Sequence, residues 1–142
     1  MLERIAAMAI VFGGFLAAPA VAQTTARASV SKEPMAEGRP LGEWITDLQA
    51  RAPQTRNAAA YAISTLGPAA APAVPALIKA LDDESPSVRF PVTVALREIG
   101  PAGKAAVPRL KQMMDDEIND ELAAAARRAL RTIDPSAVPP SE

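Results

Sequence analysis

Apolar and polar positions alternate along this chain with the period of an amphipathic helix, and the pattern comes round three times. The clearest stripe is Val88, Val92, Ala95, Leu96 and Ile99, spaced i, i+4, i+7, i+8 and i+11, which puts all five on one side of a 3.6-residue helix. Thr55, Ala59, Ala62, Ile63 and Leu66 stand at the same places before it, and Leu122, Ala126, Ala129, Leu130 and Ile133 after it. The three segments close on TLGP, EIGP and TIDP, 33 residues apart from Pro68 to Pro101 and 34 from Pro101 to Pro135. A second, shorter stripe precedes each: Leu41, Trp44, Ile45 and Leu48; Val74, Leu77, Ile78 and Leu81; Val107, Leu110 and Met114. A repeat of this length with two amphipathic stripes predicts three helix pairs, six helices in all, stacked as a solenoid.

The punctuation between stripes agrees. Pro53 and Pro86 fit first-turn positions, where no intrahelical N–H is lost, and Ser85 and Asn119 are suitable N-caps. Pro75 and Pro108 also fall in or near a first turn. Pro91 lies deeper and is expected to bend its helix or delay its start. Gly67-Pro68 and Gly100-Pro101 offer a left-handed residue followed by one that cannot continue the helix, whereas Asp134 replaces the glycine in the last unit and marks the end of the array.

Composition sharpens the class. Of 142 residues, 49% are hydrophobic but only 4% aromatic, and alanine-rich stripes favour closely approaching helices over a sheet sandwich. The expected fold class is all-α. No Cys and no His are present, which removes disulfides, thiolate nucleophiles, the usual zinc ligands and the commonest neutral-pH acid–base group. With 15 basic against 16 acidic side chains, no global field draws the protein to nucleic acid or an anionic membrane.

The ends read differently. Met1 to Ala22 has a short n-region with Arg4, an apolar run from Ile5 to Ala18, and Ala20-Val21-Ala22 as a small-residue cleavage site, the form of a secretory signal peptide. An uncleaved membrane anchor is the alternative. Residues 23–39 carry no apolar period and are expected to be a flexible linker, the repeat domain spans 40–135 with units near 40–68, 72–101 and 105–135, and residues 136–142 form a disordered tail.

The motifs AVPALIKAL (73–81), D-x-x-x-x-x-R (Asp83 and Arg89) and A-L-x-x-I-G-P (Ala95 to Pro101) resemble the HEAT-repeat superfamily, in particular short bacterial HEAT-like repeats of the phycobilisome-lyase type. GRPLGEWITDL (38–48) resembles the first helix of small exported members. The resemblance implies a short right-handed α-solenoid of three HEAT-like pairs. Arg56 and Arg89 hold the family's arginine position, while Ala123 stands there in the third unit and Lys111 replaces the apolar residue of Ile45 and Ile78, as suits a terminal repeat.

In such arrays the second helices line the concave surface, so Asn57, Tyr61, Ser64, Phe90, Thr93, Arg97, Arg127, Arg128 and Arg131, all opposite the buried stripes, would share one weakly basic groove. That groove is the candidate partner-binding face, for a protein or peptide. The competing reading of Arg127, Arg128 and Arg131 is that they solubilise an exposed last helix. Asp83 and Arg89 read as a ladder within the stack rather than a ligand site. The acids at 82–84 and 115–117 suit helix N-termini and lack EF-hand spacing. Neither catalytic residues, a metal site nor a cofactor is indicated, no continuous basic stripe indicates nucleic acid, and no membrane span remains once the signal is removed. A monomer is expected, with end-to-end stacking as the alternative, and the functional alternatives are a lyase-like enzyme and a spacer that stacks on another repeat protein. Intact-mass measurement of exported protein is expected to give a chain beginning at Gln23; a retained Met1 would remove the cleavage reading.

Overall fold

The computed structural model describes residues 32–116 and 118–140; the signal-peptide reading and the first part of the expected linker lie outside these residues. Six α-helices are present among the described residues: α1 (Leu41–Asp47), α2 (Pro53–Thr65), α3 (Val74–Ala80), α4 (Pro86–Ile99), α5 (Val107–Asp116) and α6 (Asp120–Ile133). None is long and apolar enough to cross a membrane. The second helix of each pair packs on the next, α2 against α4 and α4 against α6, with α1, α3 and α5 along the flank. The expected stripes form the core. Val88, Val92, Ala95, Leu96 and Ile99 are buried, as are Ala59, Ala62 and Ile63 before them and Leu122, Ala126, Ala129, Leu130 and Ile133 after them. On α5 the buried methionine is Met113, 1% exposed, and Met114 is only partly covered. Leu110 and Met113 are three residues apart, so the stripe follows the i+3 ridge there.

Two features were not legible as helices from period alone. Gly67–Ala73 (GPAAAPA) and Gly100–Ala106 (GPAGKAA) are 3-10 helices joining the units. A 3-10 helix turns every three residues, and the buried positions are spaced accordingly: Ala70 and Ala73 in one, Gly103 and Ala106 in the other. Gly67 at φ 54° and Gly100 at φ 73° take the left-handed angles the sequence suggested, but the prolines after them open the connector instead of ending regular structure. At Asp134 the backbone is extended, φ −149°. Its Oδ1 accepts from the Ser136 N–H at 3.2 Å, so the aspartate caps a 3-10 turn over Pro135–Ala137. Ala137 and Val138 then pack on the core. Residues 136–140, expected to be a disordered tail, therefore lie against the last pair.

The linker boundary also moves. Met35–Ala36 and Arg39–Pro40 pair antiparallel as β1 and β2. Between them Glu37 (φ 51°) and Gly38 (φ 77°) supply the two positive φ angles of a type I′ hairpin turn. Each strand has two residues, too few to show an alternating pattern. What holds the hairpin is tertiary: the Trp44 indole N–H donates to the Ala36 carbonyl at 3.0 Å, and the Arg39 guanidinium lies 4.0 Å over the Trp44 ring.

Pro91 neither delays nor interrupts α4, which runs from Pro86 through Ile99 with Pro91 inside. A proline at this position leaves the carbonyl four residues earlier, that of Ser87, without its helical donor. Asn57 on α2 replaces it, its side-chain amide donating to the Ser87 carbonyl. Ser85 occupies the N-cap position of α4 but makes no capping bond with its side chain; Asn119 does cap α6, its Oδ1 accepting from Glu121 and Leu122.

A double-mutant cycle tests this compensation. Asn57→Ala is expected to destabilise the protein by roughly 0.5–1 kcal/mol, and by clearly less in a Pro91→Ala background, where the new N–H satisfies Ser87 from within the helix. Chemical denaturation of the four proteins reads the coupling, and additive effects would remove the proposed replacement.

Candidate functional site

Between the middle of α2 and the starts of α4 and α6 lies a groove of about 410 Å³. Asn57 and Tyr61 reach it from α2, Pro86, Ser87 and Phe90 from α4, and Asn119, Glu121 and Leu122 from the start of α6. Tyr61 is 48% exposed, and Phe90, at its side, is partly buried against the core. Large aromatics left in a concave, partly wet surface are the residue type on which binding energy concentrates.

The nine residues expected to form a single face divide among several environments. Asn57, Tyr61 and Phe90 do meet in the groove. Ser64 is half-buried and turned back on its own helix, its Oγ donating to the Tyr61 carbonyl at 2.7 Å. Thr93 is a correction: it is 1% exposed and its hydroxyl donates to the Arg89 carbonyl at 2.9 Å. Position 93 lies about 100° round the helix from Val92, at the flank of the main stripe, and in a helix packed on both sides by α2 and α6 that flank is covered, while Phe90, Val94 and Arg97 on the far side stay partly open. Arg97 is engaged with its neighbour Glu98, with contacts of 2.9 and 2.6 Å. Arg127 and Arg131 border a different recess, with Met114, Asp115, Val138, Pro139 and Pro140. Arg128 is exposed. The expected weakly basic groove is thus two places: an aromatic one, in which Glu121 is the one acidic or basic side chain of the lining, and an arginine-edged one bordered by Val138, Pro139 and Pro140.

Pro86, Ser87, Asn119, Glu121 and Leu122 escaped the sequence reading as groove residues. They are first-turn and cap positions, and only the packing of α4 between α2 and α6 brings the turns together. Leu122 in particular is a core residue by period, 2% exposed, that also forms part of the groove wall.

A second constellation lies at the junction of the first two units. Arg56 grips Asp83 with a two-pronged fork, Nε to Oδ2 at 2.6 Å and Nη2 to Oδ1 at 2.9 Å, and its Nη1 donates to the carbonyls of Ala50 and Arg51 at 2.9 and 3.0 Å. Only 11% of the Arg56 side chain and 8% of Asp83 are exposed. Asp83, expected to pair with Arg89 in its own unit, is thus gripped across units by an arginine 27 residues back in the chain, while the Arg89 charge acts on it as well. Asp82 does the same in the other direction, accepting from Arg109 Nε at 2.6 Å. The Arg56 fork, helped by the Ser85 backbone N–H, holds the Asp83 carboxyl below its ordinary range, against the opposing effect of burial. These groups are spent on one another and on backbone, which makes them a staple rather than a ligand site. Among the described residues no three carboxylates, histidines or cysteines come together to hold a metal ion.

Stacked helix pairs, a repeat of 33 to 34 residues and an inter-unit arginine–aspartate staple define an α-solenoid with a side groove. Residues 41–131 match the family model of HEAT repeats, and the chain belongs to that family. A comparison with curated proteins gives no match. HEAT repeats generally mediate protein–protein interaction and are typically non-enzymatic scaffolds.

The staple makes a pH prediction. Because the folded Asp83 carboxyl is held below its unfolded value, its contribution is complete above the ordinary carboxylate pKa and disappears as pH falls through the folded one. The thermal midpoint of the protein is expected to drop on acidification below about pH 4, and Asp83→Asn is expected to flatten that part of the drop while lowering the midpoint at neutral pH by roughly 5–10 °C. A pH series of melting curves for both proteins checks it; parallel curves would show that the pair does not contribute.

Proposed function

We propose that the chain is an exported, non-enzymatic interaction module that docks a protein or peptide partner in the groove walled by Tyr61 and Phe90. The observation that carries this reading is the exposed Tyr61 beside Phe90 in a concavity built by three successive second helices. Aromatic side chains lose little rotamer entropy on being covered and bring a large apolar area, so a rigid helical wall presenting two of them is suited to holding an extended segment. Membership of the HEAT-repeat family supports a protein partner. Export rests on the signal-like pattern of residues 1–22.

Ala137 and Val138 pack on the core and Pro139 and Pro140 border the recess beside Arg127 and Arg131, so apolar surface of the last helix pair is covered from within the chain.

A photo-crosslinking side chain at position 61 tests the docking face in the native envelope. It is expected to give a discrete adduct that is lost in a Phe90→Ala background, whereas charge reversal at Arg97 and Arg131, which lie outside the groove, leaves the adduct in place. An adduct insensitive to Phe90, or formed only from position 131, would move the docking face away from the groove.

A further inference from the structure

The charge of the groove is opposite to the one its helices suggest in sequence, and this bears on what the partner presents. Resting on the reading of the groove as the docking face, we infer that it receives a cationic side chain, a lysine or arginine of the partner, held between the rings of Tyr61 and Phe90 and the carboxylate of Glu121. Three observations converge. First, Glu121 is the one carboxylate or basic side chain among the residues lining the groove, and it is exposed at the rim. The arginines that gave the second helices their basic character are elsewhere: Arg97 is bound to Glu98, and Arg127 and Arg131 edge the separate recess near Val138.

Second, the groove offers acceptors that a cation can use: the Asn57 amide donates to the Ser87 carbonyl, leaving its Oδ1 as acceptor, and Glu121 contributes acceptors only. The donors in the lining, among them the Tyr61 hydroxyl and the side-chain N–H of Asn119, whose Oδ1 accepts from the Glu121 and Leu122 N–H groups, are neutral groups. Third, the faces of two aromatic rings carry the negative end of the ring quadrupole, so they attract a cation and not an anion. An acidic segment would bring a second negative charge beside Glu121 with no lining cation to meet it. At about 410 Å³ the groove is within the size range of sites that enclose a small molecule or one long side chain.

Tyr61 is the single tyrosine of the chain, so its ring protons report on the groove without ambiguity. The probes are N-acetyl-trimethyllysine methylamide and N-acetylglutamate methylamide, titrated at low salt. The cationic probe is expected to shift the Tyr61 ring signals saturably, with roughly millimolar affinity, and the acidic one to leave them in place. Glu121→Gln, a change at an exposed position, is expected to weaken the cationic probe by about two- to fivefold, with Trp44 fluorescence showing that the fold is intact. Absence of saturable shifts, equal response to both probes, or unchanged affinity in Glu121→Gln would each overturn the assignment. The crosslink at position 61 separates the two levels: an adduct with a silent cationic probe removes the cation and keeps the docking face, while silence of both removes both.

Discussion

Close approach of the second helices is the constraint on which this structure depends. Ala59, Ala62, Ala95, Ala126 and Ala129 are at most 1% exposed, and with methyl groups at the contact the helix backbones come near enough for the larger side chains, Ile63, Leu96 and Leu130, to fill the spaces between layers. Any of these alanines replaced by a larger residue would force the stack apart, since a packed interior has no free volume to absorb it. The first helices contribute less of this. They are short, seven residues in α1 and in α3, and their role is to cover the flank of the stack.

Stacking alone leaves polar problems at the junctions, and specific side chains answer them. Pro91 removes a donor inside α4, and Asn57 from the neighbouring layer replaces it. Arg56 enters a mostly buried position and is satisfied by Asp83 and two carbonyls. Burying a charged pair is not by itself a strong source of stability, because desolvation offsets much of the attraction. Its clearer consequence is geometric: a two-pronged fork fixes how the turn before α4 sits on α2, and Asp82 in the same turn accepts from Arg109 on α5.

The groove illustrates how a binding surface arises from a repeat without being repeated. Asn57 and Phe90 are equivalent positions 33 residues apart, yet one is an amide that completes a neighbouring helix and the other an aromatic wall. Tyr61 and Glu121 have no counterpart of their kind in the other units. Function in a solenoid is carried by such departures from the consensus, because the repeated residues are occupied with packing.

Much of this was determined by sequence alone. A 33- to 34-residue period, two stripes per unit and glycine–proline punctuation specify six helices and nearly all of their buried faces, since helix period and burial are local consequences of where apolar side chains fall. The 3-10 connectors were encoded too, in small residues three apart, but a proline-rich run reads as a break until its buried face is known. Other features were decided by tertiary structure. The hairpin at 35–40 has too few residues for a pattern and exists because Trp44 binds it. Thr93 lies outside the main stripe, yet α4 is covered on two sides and so the residue is buried. Above all, the candidate face was read as one basic surface because Arg97 shares a helix with Phe90, and Arg127, Arg128 and Arg131 lie on the second helix of the next unit. Sharing a helix fixes angle about an axis but not which turns of neighbouring helices converge, and that convergence joined the aromatics to Glu121 and left the arginines outside.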